Sequence, residues 1–492
     1  MKGFFNLSNN NRMNRYITII SVCICFIACK APKYTALEIP TLKETNFDSV
    51  GIRITDSVSI GGTAWKSLFK DEYLKNLIDI ALLNNNGLLA FQEKINMSNA
   101  HLLVAKNLRT PSLQANIQTN AERYGNFTMN GVGNYDLNKS NNISASQRVP
   151  TAITPDLFAG FRSNWEIDVW GQLKTRAKVA ALDVKMLQAE KHLLTTEIVA
   201  TLASLYYNLL ALDEEVLILN NNSTLQKDAL EIVKIQKEAG RANELAVQQF
   251  EAQYLKTMAL MFDVKQQIVA IENQINYLCG KQQQTIVRSK SFLKKELPIN
   301  LLAGNISMLL NNRPDIQMAT LELAKSKGNI NIARLAYFPS FSINPYIGLS
   351  SFSVTKLISP ESIAFGMLGG LNFPIFTKKQ NEANWQIAQA ANKEAYFKYK
   401  DVVQKSIAEV QTQLQAVENT RAQLSLKEQE TNTLIAAITT ADNLYKAGQA
   451  TYLEVLTTRR NALDANIEAI NTKRNLFIAA IQLYKALGGG WR

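Results

Sequence analysis

Histidine is nearly missing from this 492-residue chain, with His101 and His192 making up the whole complement. Both fall in stretches of helical spacing. No zinc-ligand spacing, Walker loop, dinucleotide fingerprint or nucleophile elbow appears. Carboxylates are plentiful, but on helical repeats they serve as solvated faces and ion pairs. The residues therefore offer no catalytic, cofactor-binding or metal site. Cysteine is scarce as well, at positions 23, 25, 29 and 279. The ten methionines are dispersed and form no thioether ladder for soft cations. No run of about 18 or more apolar residues follows the N-terminus, which excludes an ordinary helical membrane span in the mature chain. Proline and glycine are both missing from Gln172 to Ala239, a length a helix can use and a strand cannot.

The stretch just before that gap organises the rest. In Phe161–Gly171, Phe161, Trp165, Ile167 and Val169 alternate with Arg162, Asn164, Glu166 and Asp168, the period-2 pattern of a strand with one apolar face. A short one-sided strand thus feeds a very long helix, and the theme recurs. Ile363, Phe365, Met367, Leu371, Phe373 and Ile375 alternate with small or polar residues before Phe376-Thr377-Lys378-Lys379 opens another helix. Pro111 and Pro339 each precede a strand, and Asn86 and Pro314 each open the helix before it. Glu238–Leu245 matches Lys446–Leu453, and Cys279-Gly280 matches Leu487-Gly488. The unit is far longer than a solenoid repeat, so it implies two similar halves of one body.

The N-terminus reads as a targeting segment, with Arg12 and Arg15 ahead of an apolar stretch, Ile17–Ile27. It ends in Phe26-Ile27-Ala28-Cys29-Lys30, the pattern of a bacterial lipobox, with Met13 as an alternative start. The competing reading is a plain signal peptide whose cysteines are incidental. An acylated Cys29 would tether the chain to lipid at about 0.8 kcal/mol per buried methylene. Removing residues 1–28 takes Lys2, Arg12 and Arg15 and no acid, so the net charge falls by three, from +12 to +9. Export and the scatter of the basic residues along helices argue against a nucleic-acid partner. Cys279 is then the one thiol left, which excludes an intrachain disulfide; its ordinary reading is a small apolar residue at a helix end.

Residues 1–28 are expected to be the signal peptide and 29–64 a lipidated tether. Residues 65–280 form the first repeat, 281–298 a linker and 299–492 the second repeat. Within the first repeat, helices are expected before Asn84-Asn-Asn-Gly87 and from about Leu88 to Leu108. A strand follows at Ser112–Ala121, a long loop over 122–160, then the second strand. The second half repeats this, with Phe341, Ile343, Ile347 and Leu349 on one side of its first strand and a loop around Ser353–Ser362. Four strands of about ten residues match outer-membrane barrel strands, yet the smallest barrels need about eight, so several chains would have to share one. The alternative is a soluble sheet with one face on a core. The helices Gln172–Ala239 and Lys378–Ala447 would each be about 100 Å long. Each turns at a glycine, Gly240 or Gly448, and returns through a helix of about 40 residues. Leu453, Leu456, Leu463, Ile467, Ile470, Phe477, Ile481 and Tyr484 keep coiled-coil spacing, with Arg460 and Arg474 on the same stripe.

The chain resembles the TolC-like outer-membrane efflux factors, in their lipoprotein (OprM-like) branch. The pieces that carry the resemblance, in order, are Trp65-x3-Phe69 with Asp71-x2-Leu74-x2-Leu77-Ile78-x2-Ala81-Leu82-x-Asn84, then Trp165-Glu-Ile-Asp168-Val-Trp-Gly171. Asn312-Arg-Pro-Asp315-Ile, Phe338-Pro339-Ser and Ala447-Gly448-x4-Leu453-x-Val455-Leu456 follow. The resemblance implies a mostly α fold with a membrane β part. A homotrimer would share a twelve-stranded β-barrel, four strands per chain, continuous with a long periplasmic α-helical barrel. It implies a passive exit duct in the outer membrane of a Gram-negative cell, lipid-anchored at Cys29, with no enzymatic activity and no cofactor. Its partners would be a periplasmic adaptor (a membrane fusion protein), an inner-membrane pump and outer-membrane lipid. Carried over by position, the adaptor-contact tip is Gly240, Arg241, Leu245, Gly448, Gln449, Leu453 and Val455. Arg241 and Gln449 stand where the family often has an apolar residue. Asp442, Tyr445 and Lys446 are candidates for the periplasmic gate, with surface polar residues as the plainer alternative. The competing function is a lipid-anchored coiled-coil scaffold without a pore.

Overall fold

The computed structural model of the protein describes residues 60–297 and 312–492. The expected signal peptide, Cys29, the expected tether up to residue 59 and residues 298–311 lie outside the described residues. Among those described, helices α1 (Trp65–Leu68), α2 (Glu72–Asn84) and α3 (Asn86–Asn107) lead into strand β1 (Ser112–Glu122). Helix α4 (Met129–Lys139) precedes β2 (Thr154–Ile167), and then come α5 (Gln172–Glu238) and α6 (Glu244–Leu278). The second half runs α7 (Pro314–Leu335), β3 (Ser340–Ser351), α8 (Val354–Leu357), β4 (Ile363–Asn372), α9 (Gln380–Lys446) and α10 (Tyr452–Ala486). The halves match in length as well as in order: 22 residues in α3 and α7, 67 in α5 and α9, 35 in α6 and α10. The return helices are a turn shorter than expected because each starts only after its capping residue, Asn243 or Thr451.

The chain divides into two compact units. The first holds the sheet and the helix ends next to it, within Ser98–Asp183 and Ala324–Glu394. Its strands form one antiparallel sheet in the order β1-β2-β3-β4. The register sets Ala115, Phe161, Ile347 and Phe365 in one row across the sheet, and Ile117, Ala159, Leu349 and Ile363 in another. Three sequence expectations are corrected here. The segment 122–160 is more than a loop: it contains α4, whose N-cap Thr128 accepts from the Gly131 N–H at 3.1 Å, and β2 begins within it at Thr154. At the other end β2 stops at Ile167, so Val169 lies beyond the strand, and α9 starts at Gln380 because Lys378 and Lys379 take positive φ of 47° and 63°.

The second unit is a helical body. Its core joins Trp65, Phe69, Leu74 and Ile78 to the middle of α5 (Leu202, Tyr206, Leu209) and to Ile275 and Cys279 of α6. Val410 and Leu414 of α9 and Phe477, Ile481 and Tyr484 of α10 complete it. One 18-residue window of α5 reaches a mean hydropathy of 1.3 and would pass as a membrane span by composition, but 56% of that window is buried within the chain. Cys279 is 1% exposed and closes α6, as its position suggested. Asp71 caps α2 through the Tyr73 N–H at 3.0 Å and accepts from Lys295 Nζ (2.6 Å), Ser289 Oγ (2.8 Å) and the Tyr206 hydroxyl (2.9 Å). Burial pushes its carboxyl up, but the bonds from Lys295, Ser289 and Tyr206 outweigh that and hold it below the usual carboxylate value. Arg288 is gripped by Asp213 and Glu272, both at 2.5 Å, so residues 288–295 are fastened to α5, α6 and the start of α2. Removing one partner from such a buried set costs about 3 kcal/mol or more, because the other charge is stranded.

Candidate functional site

The sheet has one apolar face. Odd-numbered residues share it: Leu113, Ile117, Phe161, Ile347, Ile363, Phe365, Met367 and Leu371 are all exposed, Phe365 by 77% and Ile117 by 92%. A folded chain hides such a surface in a core or presents it to a partner or to lipid. The opposite face carries Ser112, Gln114, Asn116, Arg162, Asn164, Asn344 and Tyr346. There Phe158 meets Tyr346 edge-on at 6.0 Å, the Arg162 guanidinium lies 4.6 Å from the Phe158 ring, and a cavity of about 540 Å³ opens beside them. Among the described residues β1 and β4 pair on one side only, so each leaves a row of backbone donors and acceptors open to another strand. A face that calls for lipid and two edges that call for strands are what a shared barrel wall needs.

The other sequence-derived positions gather where the two helical hairpins of the second unit turn. Gly240 and Gly448 both sit at φ +73°, a conformation glycine adopts without a Cβ clash. The same pair of bonds closes each turn. In the first, the Gly240 N–H donates to Lys237 O (2.9 Å) and the Arg241 N–H to Gln236 O (2.7 Å). In the second, the Gly448 N–H donates to Tyr445 O (3.0 Å) and the Gln449 N–H to Leu444 O (2.8 Å). Nothing lies within 4 Å of where a Cβ would stand on either glycine, so both turns are open. Leu245 and Leu453 are 53% and 51% exposed, and Arg241 and Gln449 are also exposed. Val455, grouped with them in the sequence reading, is 6% exposed; its side chain packs inward and offers no contact surface.

Asp442 and Tyr445 are tied in, while Lys446 points to solvent. Both Asp442 oxygens accept from Arg459 Nη2, at 3.0 and 2.7 Å, between helices of one hairpin. The Tyr445 hydroxyl donates to Gln236 Oε1 at 2.6 Å and so joins α9 to α5, one hairpin to the other. Arg459 Nε is buried and lacks an acceptor. Arg459 and Gln236 were not picked out in the sequence. The helical stripe put Arg460 inward, but Arg460 is exposed and its neighbour Arg459 takes the inner position. Seven residues past the start of α10, Arg459 faces the acid four residues before the end of α9.

The profile of the outer membrane efflux protein family matches residues 305–489. The pyoverdine export outer membrane protein OpmQ of Pseudomonas putida is 24% identical over 481 residues, 97% of this chain and 98% of that protein. The cation efflux system protein CusC of Escherichia coli K12 is 25% identical over 475 residues, 95% of this chain and 98% of that one. Among solved structures, a membrane protein from Pseudomonas aeruginosa superposes with a TM-score of 0.81 at 24% identity, over 94% of this chain and 98% of that one. The open state of the MtrE outer membrane channel from Neisseria gonorrhoeae gives 0.80 at 21% identity, over 94% and 98%. At these identities the superpositions establish the shared fold.

Proposed function

We propose, for a chain that belongs to the TolC-like outer-membrane efflux factor family, that it forms the exit duct of a tripartite efflux pump in the outer membrane of a Gram-negative cell. The observation that carries this is the sheet: one apolar face exposed, the other mostly polar, and both edges unpaired among the described residues. Three copies would join β4 of one to β1 of the next and close twelve strands, putting the apolar side chains on lipid and Arg162, Asn164 and Tyr346 on a water-filled lumen. Cys29 supplies the lipid anchor. Family members are channels, not enzymes, so an inner-membrane pump provides the energy and a periplasmic adaptor docks on the open turns at Gly240-Arg241 and Gly448-Gln449, with Leu245 and Leu453 beside them. The cargo is small toxic compounds. Similar proteins are named for pyoverdine export and for cation efflux, which fits a duct whose cargo the pump selects.

At rest the duct is held shut by two ties, Asp442–Arg459 within a hairpin and Tyr445–Gln236 between hairpins. Lys446 lies beside them as a solvent-facing charge. A scaffold without a pore would leave the sheet's apolar face in water with nothing to cover it. The test is conductance: the purified protein added to a planar lipid bilayer gives stepwise current, and the steps grow when Asp442 is removed. Incorporation without current in either form would contradict the duct.

A further inference from the structure

The two junctions that lead from the sheet into the long helices are built differently. At the first, Asp168 caps α5, its Oδ1 accepting the Leu173 N–H at 2.9 Å and its Oδ2 the Lys174 N–H at 2.7 Å, and Gly171 takes φ +77°. Trp170 is fixed there by donating its indole N–H to Pro339 O at 2.7 Å. The second junction, Phe373-Pro374-Ile375-Phe376-Thr377-Lys378-Lys379, has neither the carboxylate nor the glycine. Lys378 and Lys379 occupy the left-handed region in succession, at φ 47° and 63°. Glycine fits that region freely and asparagine tolerates it, so a lysine pair there carries a backbone cost that local folding does not require. Both lysines are exposed, and among the described residues neither has a carboxylate within ion-pair distance. Ile375 and Phe376, immediately before them, are 89% and 83% exposed. The turn leaves β4 directly, at the end of its apolar row Phe365, Met367 and Leu371, with Asn372 paired to Ser340 as the last rung.

We propose that the turn Ile375–Lys379 is a phospholipid clasp. Ile375 and Phe376 enter the edge of the acyl layer next to β4, and the two ammonium groups hold a headgroup phosphate of the same leaflet. The chemistry is that of a membrane interface: apolar side chains level with the hydrocarbon boundary, and lysines that reach back from it to anionic lipid. The inference rests on the reading of the sheet as a membrane wall.

The experiment measures retention of phosphatidylglycerol by the detergent-purified full-length protein, read by native mass spectrometry, alongside insertion into phosphatidylcholine vesicles. Lys378→Asn with Lys379→Asn keeps a side chain that tolerates the backbone and removes both charges; Lys378→Arg with Lys379→Arg keeps the charges. The expected result is about a tenfold fall in retained lipid for the asparagine pair, with retention by the arginine pair close to that of the unaltered protein. Equal retention by the asparagine pair would overturn the clasp, as would an arginine pair as poor as the asparagine pair. If the unaltered protein did not insert into vesicles at all, the membrane reading of the sheet would fall together with the clasp. Insertion with unchanged lipid retention would remove the clasp alone.

Discussion

The two hairpin tips share a backbone and differ in what stitches them. With Gly240 aligned on Gly448, Lys234 stands where Asp442 does, Glu251 where Arg459 does, and Lys237 where Tyr445 does. The charges at the first two positions are inverted. The first tip has an ion pair within its own hairpin, Lys237–Glu244, whose side chains are 47% and 54% exposed. At the second tip the Arg459–Asp442 pair is 25% and 30% exposed, and Tyr445 reaches across to Gln236. Exposed pairs are screened and contribute little, whereas half-buried charges bonded through two oxygens are costly to separate. The two tips keep one turn, and the less exposed ion pair stands at the second, whose Tyr445 also bonds to Gln236 of the first. The lesson is that equal backbones need not mean equal roles.

The largest expected effect tests whether the shared turn matters at all. Gly448→Pro cannot take φ +73° and loses the N–H that donates to Tyr445 O, a local cost of about 3 kcal/mol or more. Export, scored as the drug tolerance of cells, should collapse while trimers still reach the outer membrane; normal export would mean the tip is misplaced. Next is the buried tie. Asp442→Ala strands Arg459, whose Nε already lacks an acceptor, at about 1–3 kcal/mol. Single-channel conductance should rise severalfold, while Lys234→Ala at the matching position of the first tip leaves it unchanged. If both variants behaved alike, the contrast between the tips would be lost. Tyr445→Phe deletes only the bond to Gln236, about 1 kcal/mol, and should give a smaller rise in conductance with normal trimer yield. Smallest of all, Lys237→Ala should change thermal stability by no more than about 0.5 kcal/mol and conductance not at all. A larger loss would show that the exposed pair is a tie as well.

Most of the helical architecture was legible because its signals are long and redundant. A stretch without proline or glycine from Gln172, closed by a tip glycine, leaves a helix little freedom, and the duplication repeats every boundary. The short elements were harder to read. Pro155 and Gly160 make the start of β2 look like loop, yet Pro155 stands second in the strand, opposite Ala121, where a missing N–H is tolerated. Two glycines, Gly131 and Gly133, masked α4, which holds through the Thr128 cap and the exchange of bonds between Asn138 and Val149. At the tips, the sequence located the turns and missed the partners. Arg459 and Gln236 are defined by which helix faces which, and periodicity along one helix carries no such information. The inward place of Val455 was hidden for the same reason.

The central claim is that the open sheet is one third of a closed membrane wall, and an image of the detergent-purified particle tests it most directly. The account predicts threefold symmetry and a detergent belt around a closed ring of strands. A monomer with no belt would contradict it, placing the exposed row Leu113, Ile117, Phe365 and Met367 against something other than lipid.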